Sequence, residues 1–217
     1  MSSAKALIFW GGWDGHEPES CSRIVEDMLK TEGFDVDRVE GTGVLSDRDL
    51  GQYDLIVPLC TQITVEKEAL DALVAAVEAG AGLGGFHGGM GDTFRNEPAY
   101  QFMTGGQWVA HPGNIIDYRV DITRPDDPVM QGIESFDYHS EQYYLHVDPA
   151  IEVLATTTFN GEHASWIDGT VMPVVWKHRY GQGRVFYSAL GHVAAEFEIP
   201  QMREILRRGL LWATRRG

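Results

Sequence analysis

Short apolar runs, each followed by a glycine-containing segment, constrain the fold of this chain more than any other feature of its sequence. Residues 4–10 are apolar except for Lys5, and residues 55–60 are apolar throughout. Continuous apolar runs of this length are typical of strands buried on both faces of a parallel sheet. Residues 34–39 alternate between apolar and polar, and residues 82–86 precede a glycine cluster, so they predict two further strands.

The segments between these strands carry helix signals. Pro18 begins one helix, apolar residues follow it at helical spacing, and Gly33 ends it. Thr64 is predicted to be the N-cap of a second helix, which Gly80 ends. Because alternating strands and helices connect by right-handed crossovers, we expect an α/β three-layer sandwich whose mostly parallel sheet is covered on both sides.

The second half of the chain predicts a mixed β region added to that sheet. Three segments have long strand patterns: residues 115–123, 151–159 and 171–190. The last of them contains a hairpin turn at residues 180–183, and residues 201–214 predict a final amphipathic helix. No repeat, linker or hinge-like segment divides the sequence, so residues 1–217 are expected to form a single domain.

Composition excludes several classes of function. The 217 residues carry a formal net charge of −15, which disfavours nucleic acid and an anionic membrane surface as partners. Cys21 and Cys60 are too few for a disulfide framework or a cysteine zinc site, and we expect both to be buried. No stretch approaches the roughly 18 apolar residues that span a bilayer. The N-terminus shows no cleavable signal pattern, so a cytoplasmic location is expected.

The residues that carry chemistry follow the predicted strands. In an open parallel sheet, ligands bind where the carboxyl ends of the strands meet loops. His16 follows the first strand in a glycine-rich loop, and Gly-Phe-His-Gly-Gly at residues 85–89 ends the strand at 82–86. Glycines on both sides allow the sharp turn of a nucleophile elbow, which lifts one side chain above the sheet. Here that side chain is His87, which can act as a general base, a metal ligand or a hydrogen-bond donor, or can merely pack in the turn.

Four motifs are spread over nearly the whole chain. They are Gly85-Phe86-His87-Gly88; Gly105-Gly106-Gln107-Trp108 followed by His111-Pro112; Glu141 before Tyr143 and Tyr144; and Gly183-Arg184-Val185-Phe186-Tyr187 followed by Leu190-Gly191-His192. Together they resemble the ThuA-like (trehalose utilization) family. The resemblance implies a flavodoxin-like sheet of the class I glutamine-amidotransferase type and a role in bacterial sugar utilization. It also implies that the amidotransferase nucleophile is lost, with His87 in the place of the catalytic cysteine. No nucleotide cofactor is expected.

These motifs and strand ends supply the candidate site residues. The residues predicted to be catalytic are His87, Glu141 and His192. The residues predicted to bind substrate are Trp13, His16, Gly88, Asp92, Trp108, His111 and Tyr143. Imidazole and carboxylate groups suit a divalent metal ion, with zinc favoured, and the predicted ligands are His16, His87, Glu141 and His192. Since no short ligand spacing such as His-x-x-x-His is present, two alternatives stay open: a metal-free polar pocket of sugar size, and histidines that are only structural.

Three functions compete. The first is a carbohydrate-metabolism enzyme that isomerises, eliminates or hydrolyses a sugar or keto-sugar derivative at a histidine-centred, metal-assisted site. The second is a non-catalytic sugar-binding or regulatory module that kept the pocket. The third, a working glutaminase or cysteine peptidase, is disfavoured because the elbow holds no thiol. A small-molecule carbohydrate is the expected partner in the first two, and a homo-oligomer is left open.

Overall fold

The fold is that of a computed structural model, which describes residues 3–215. Its helices are α1 (Pro18–Thr31), α2 (Val44–Asp47), α3 (Lys67–Glu78), α4 (His87–Gly91), α5 (Pro98–Thr104) and α6 (Pro200–Ala213). Its strands are β1 (Lys5–Gly12), β2 (Asp35–Glu40), β3 (Leu55–Thr61), β4 (Gly82–Phe86), β5 (Gly106–Ala110), β6 (Ile115–Ile122), β7 (Phe136–Glu141), β8 (Tyr144–Val147), β9 (Glu152–Thr158), β10 (Val171–Tyr180) and β11 (Gly183–Ser188). Short 3-10 turns, Asp14–His16 and Ala194–Glu198, precede α1 and α6.

Nine strands form one sheet in the order β2-β1-β3-β4-β11-β10-β9-β6-β7. The strands from β2 to β11 run parallel to one another, and the pairings from β11 to β7 are antiparallel. β5 and β8 pair separately as a two-stranded antiparallel sheet. The predicted α/β architecture is therefore confirmed, and most of the added β region extends the same sheet.

The direction of the chain connections changes between β1 and β3. From β1 the chain crosses to β2 at one edge, whereas from β3 it crosses to β4 in the opposite direction. Right-handed crossovers then place α1 and α3 on opposite faces of the sheet. α6 packs on β4 and β11 and is joined to the end of α1 by the ion pair between Arg207 and Glu32. A switch point of this kind leaves a crevice beyond the carboxyl ends of β1 and β3.

The parallel strands supply much of the core. β3 is buried along its whole length, and β1 is buried from Ala6 to Phe9. Burial on both faces is the reason that these segments read as continuous apolar runs. Cys21 and Cys60 are buried as expected, and burial raises the pKa of each thiol to about 12. Neither thiol is ionised at neutral pH, so neither is an activated nucleophile.

The structure differs from the sequence predictions at the start of one helix and in three strands that were not predicted. α3 begins at Lys67, with Glu66 in the N-cap position, so the prediction that Thr64 caps this helix is wrong. The β-branched residues Ile63, Thr64 and Val65 favour an extended backbone and delay the start of the helix. The strands β5, β7 and β8 were not predicted. β5 and β8 are only five and four residues long, whereas β7 has a usable signal in the alternation of Phe136 and Tyr138 with Asp137 and His139.

No helix within residues 3–215 is both long enough and apolar enough to cross a membrane. The buried apolar side chains of this part of the chain join in one cluster. The interpretation of residues 1–217 as a single domain stays a prediction.

α6 approaches β11 closely at Gly209, where a Cβ atom would overlap the ring of Phe186. We therefore expect Gly209→Ala to lower the free energy of unfolding by about 1–3 kcal/mol, the usual effect of overpacking a core. Chemical denaturation measures it. Gly43→Ala is the matched control, because Gly43 has helical backbone angles and its Cβ would meet only Asp47 at 3.7 Å. Equal stability of the two variants would contradict the close contact.

Candidate functional site

The backbone at His87 adopts the left-handed conformation that residues with a side chain rarely take. Its φ is +46°, at the junction between β4 and α4. A non-glycine residue in this region costs on the order of 1–3 kcal/mol, and such strain concentrates at functional sites. The carbonyl of His87 accepts a hydrogen bond from the buried hydroxyl of Tyr187, at 3.1 Å. A sharp strand-to-helix turn with His87 at its apex is thus present.

Four side chains converge beside this turn: His16, His87, Glu141 and His192. One ligand atom of each lies within 4.8 Å of all the others. Glu141 Oε2 lies 3.0 Å from His87 Nε2, 3.5 Å from His192 Nδ1 and 3.8 Å from His16 Nε2. His192 Nδ1 lies 3.2 Å from His87 Nε2. The structure therefore brings together all four residues that were predicted as metal ligands.

Four distant parts of the chain deliver these groups. His16 ends the turn after β1, His87 follows β4, and His192 follows β11. Glu141 is the last residue of β7, which lies five positions from β4 in the sheet order. In a flat sheet that displacement would be about 24 Å, at roughly 4.8 Å per strand. The 3.0 Å contact between Glu141 and His87 therefore requires the antiparallel half of the sheet to curl back over the parallel half.

Hydrogen bonding fixes which nitrogen of His87 carries the proton. Nδ1 lies 2.8 Å from the carbonyl oxygen of Ala189, which can only accept, so Nδ1 donates. Burial lowers the pKa of His87 to about 4, against the opposing influence of Glu141, so the ring is neutral at pH 7. Nε2 then presents a lone pair to the Glu141 carboxylate at 3.0 Å. A proton or a cation between these two acceptors removes their repulsion.

Glu141 is a buried carboxylate, with a side chain that is 7% exposed. Burial raises its pKa, but the interactions with the imidazoles of His16, His192 and His87 outweigh burial and hold the pKa well below its usual range. For His192, burial lowers the pKa, while the hydrogen bond and the charge of Glu141 raise it, and the net direction is upward. The carboxylate is therefore ionised and is compensated by the surrounding imidazoles.

Three buried side-chain atoms beside the cluster have no hydrogen-bond partner among residues 3–215: His16 Nε2, Trp108 Nε1 and His111 Nδ1. His16 Nδ1 pairs with the hydroxyl of Thr61 at 2.7 Å, and its Nε2 faces Glu141. A buried polar atom without a partner costs about 1–3 kcal/mol. Such atoms are rare in native proteins and usually have a water, an ion or a ligand as their partner.

Aromatic rings surround the cluster. Tyr143 stacks on His87 with ring centroids 4.2 Å apart, and His111 stacks on Tyr143 at 6.3 Å. Trp13 packs edge-on against His16 at 4.6 Å and is 49% exposed. His87 itself is only 1% exposed, so its ring shares a closed space with the other members of the cluster. Tyr143 and the neighbouring histidines cover it.

The second oxygen of Glu141 faces another histidine. His111 Nε2 lies 3.6 Å from Glu141 Oε1, whereas the contacts of the other three histidines are to Oε2. The side chains of His111 and His192 are 27% and 15% exposed, so solvent reaches the cluster along these two residues. Glu141 thus links the buried imidazoles to one that is accessible to solvent.

Two residues that were predicted to bind substrate have other contacts. The carboxylate of Asp92 is held at both oxygens by Arg95, at 2.8 and 2.6 Å, and is not a member of the four-residue cluster. The guanidinium of Arg95 also lies over the ring of Trp108. Gly88 lies against the ring of His16, where a Cβ atom would crowd the imidazole. A role in substrate binding stays a prediction for Asp92 and Gly88. It also does for the remaining candidates, Trp13, His16, Trp108, His111 and Tyr143.

Three residues that shape the site were not predicted. Thr61 orients His16, the carbonyl of Ala189 orients His87, and the carboxylate of Glu196 accepts the backbone N–H of His192 at 2.9 Å. Thr61 had a usable signal, since it ends a buried strand at the edge where ligands bind. A backbone carbonyl and an acidic residue in a short turn have no such local signal.

Fold and site together define a class of protein. It is an α/β protein with a large, partly parallel central sheet, in which a histidine occupies the sharp turn after β4. The chain belongs to the ThuA family, described as trehalose utilisation, whose family model matches residues 5–213. The family predicted from the motifs is therefore confirmed. No curated protein sequence was found to match the chain.

Solved structures share this fold. A ThuA-like protein from Parabacteroides merdae has a TM-score of 0.80 at 19% identity, and the match covers 98% of this chain and 90% of that one. A ThuA-like protein from Bacteroides uniformis has a TM-score of 0.75 at 22% identity, with 96% and 89% covered. A cytoplasmic protein from Salmonella typhimurium has a TM-score of 0.67 at 14% identity, with 98% and 100% covered. At these identities the likeness shows the fold alone.

His87 is expected to stay neutral, with its proton on Nδ1, down to a pH near 4. Burial lowers its pKa and keeps the ring neutral, and the hydrogen bond that Nδ1 donates to Ala189 sets the tautomer. Nitrogen NMR of the imidazole in chelator-treated protein measures both the tautomer and the titration, with a model-peptide histidine of pKa about 6.5 as the reference. A ring that titrates like the peptide, or that carries its proton on Nε2, would contradict the geometry.

Proposed function

We propose that this protein is a metal-assisted carbohydrate enzyme that acts beside the carbonyl group of a sugar or keto-sugar derivative. Isomerisation and elimination are the favoured reactions, and hydrolysis is the alternative. The observation that carries the proposal is the convergence of three imidazole nitrogens and one carboxylate oxygen at one point. Membership of a family described as trehalose utilisation supports carbohydrate as the substrate class.

The spacing of the four ligand atoms fits zinc. Zinc–nitrogen bonds of 2.0–2.1 Å in a tetrahedral site put ligand atoms about 3.4 Å from one another. Four of the six corresponding distances here are 3.0, 3.2, 3.5 and 3.8 Å, and the other two, from His16 to His87 and to His192, are within 4.8 Å. The Nδ1–H of His87 donates to a backbone carbonyl, which is the usual arrangement for a metal-bound histidine. A bound cation would also give the buried His16 Nε2 a partner.

In the reaction that we propose, the metal ion and the side chains have separate roles. When bound, a divalent ion polarises a carbonyl oxygen of the substrate. His111, whose Nε2 lies 3.6 Å from Glu141 Oε1, can take a proton from the adjacent carbon and return it elsewhere, and the Glu141 carboxylate stabilises the imidazolium that forms. Trp13 offers an exposed aromatic face to a sugar ring, and the indole N–H of Trp108 can donate to a hydroxyl group.

Glutamine amidotransfer is not part of the proposal. It requires a thiolate at the elbow, and His87 stands there. Cys21 and Cys60 are buried, with the pKa of each thiol raised to about 12, so neither can replace the nucleophile.

A sugar-binding or regulatory module without turnover is the second candidate. One observation favours it: the cavity beside His16 and His87 measures about 10 Å³, which is room for roughly one water molecule and not for a substrate carbonyl, whereas the exposed ring of Trp13 can pack on a sugar at the surface. The cytoplasmic location, the absence of nucleic-acid or membrane partners and the open question of a homo-oligomer remain predictions of the sequence.

Metal binding is the first test. Chelator-cleared protein is expected to take up one zinc ion per chain, measured by elemental analysis and titration. His16→Ala and His192→Ala should weaken binding by at least about 100-fold, since even residues outside the ligand set change affinity by about 10- to 100-fold. His139→Ala is the control, because His139 is exposed and pairs with Asp117. Protein that binds no zinc, or a control that loses as much as the ligand variants, would refute the metal site.

Turnover is the second test. Zinc-loaded protein is incubated in D₂O with a panel of reducing sugars and keto-sugars, and NMR follows deuterium uptake at the carbon next to the carbonyl. We expect Glu141→Gln to reduce this exchange by at least about 100-fold, because it removes both a proposed zinc ligand and the carboxylate that stabilises the protonated His111. A sugar that binds without exchange or conversion would support the binding module instead.

A further inference from the structure

Glu196 is a buried acidic residue that the proposed chemistry does not use. It lies in the 3-10 turn before α6 and is 8% exposed. A buried carboxylate is tolerated only when hydrogen bonds compensate it. Four groups donate to Glu196: the hydroxyls of Tyr138 and Ser140 and the backbone N–H groups of Gly191 and His192. They come from two segments, and each segment carries a member of the histidine–carboxylate cluster.

The hydroxyl donors belong to β7. Ser140 donates to Glu196 Oε1 at 2.7 Å, and Tyr138 donates to Oε2. Ser140 immediately precedes Glu141 on this strand. The carboxylate of Glu196 therefore fixes the end of β7 one residue before the carboxylate at the centre of the cluster.

The backbone donors belong to the loop after β11. The N–H groups of Gly191 and His192 donate to Glu196 Oε2 at 3.2 and 2.9 Å. Gly191 has a φ of +99°, a conformation that glycine adopts easily and that nothing in its own side chain restricts. The direction in which His192 leaves the loop is thus set by its hydrogen bonds to Glu196.

We propose that Glu196 is a positioning residue that holds His192 and Glu141 at ligand distance from each other. Its Oε1 contacts the strand that ends at Glu141, and its Oε2 contacts the strand's Tyr138 and the loop of His192. β11 and β7 are separated by three strands in the sheet, so backbone pairing does not connect these two segments. The carboxylate of Glu196 connects them, beside a single direct hydrogen bond of 3.2 Å that the Gly191 N–H donates to the Tyr138 hydroxyl. The inference relies on the proposed metal site for only one of its readouts.

The four contacts require a carboxylate and not merely a polar side chain of the same size. All four groups donate, and the two oxygens of Glu196 accept from them. A glutamine has one accepting oxygen, and its NH₂ group would face donors. Glu196→Gln therefore keeps the volume of the side chain but loses its charge and one accepting oxygen. With the NH₂ group at the Oε1 position it loses the hydrogen bond that Ser140 donates, and with the NH₂ group at the Oε2 position it loses both backbone N–H bonds of the His192 loop.

The test compares Glu196→Gln with Glu198→Gln, an exposed control in the same 3-10 turn. Two readouts are used: the affinity and visible spectrum of bound Co²⁺ as a zinc substitute, and hydrogen exchange of the Gly191 and His192 amides in chelator-treated protein. We expect Glu196→Gln to weaken Co²⁺ binding by about 10- to 100-fold and to change the spectrum. Amide exchange in the His192 loop should accelerate by about 10-fold or more. The control should match the native protein in both.

Ser140→Ala provides a second, milder variant in case Glu196→Gln does not fold. It removes one donor and is expected to weaken Co²⁺ binding by less than Glu196→Gln does. If native protein binds Co²⁺ and both variants bind it equally well with the same spectrum, Glu196 does not position the ligands. If native protein binds no Co²⁺, the proposed function fails, and amide exchange alone decides: unchanged exchange in both variants overturns the inference, and faster exchange supports it.

Discussion

The buried negative charge of Glu141 is the constraint on which the rest of the site depends. A carboxylate that is shielded from water is tolerated only when it has close polar partners. Here four imidazoles are the partners: three contact Oε2 of Glu141, and the fourth contacts Oε1. Compensation by histidine differs from compensation by arginine or lysine, because a neutral imidazole can also present a lone pair. The same arrangement that satisfies the carboxylate therefore creates a set of ligand atoms. The contacts that stabilise the buried carboxylate of Glu141 are therefore the same contacts that assemble the proposed metal ligands.

The cluster around Glu141 depends on a strained backbone at His87 and on contacts between segments that are distant in the sequence. His87 holds a left-handed backbone that is compensated by the contacts of its ring and its carbonyl group to Ala189 and Tyr187. Glu141 reaches the cluster because the antiparallel strands curl over the parallel ones. Such a site forms only when the whole sheet has formed, so we expect its geometry to be sensitive to changes in strands far from the histidines.

Much of the fold could be predicted from the sequence, because burial on both faces leaves an unbroken apolar run. β1 and β3 follow from that rule, and Pro18 and Gly33 mark α1 by backbone preferences that act within a few residues. The prediction failed where local signals conflict. Thr64 has the chemistry of an N-cap, yet its β-branched neighbours keep the chain extended to Glu66. β7, which carries Glu141, was not predicted, because its alternation of apolar and polar residues covers only Phe136 to His139.

The sequence by itself determined the parallel α/β core and the glycine-flanked turn at His87, because strand burial and backbone freedom are properties of residues close together in the chain. It also supplied His16, Glu141 and His192 as candidates. Only the tertiary structure decided that these groups meet within hydrogen-bond or ligand distance, that His87 is covered by Tyr143, and that Glu196 connects two of their segments. The physical reason is that such contacts join residues separated by up to about 180 positions in the sequence. Their distances depend on sheet curvature and loop packing, which no short stretch of sequence encodes.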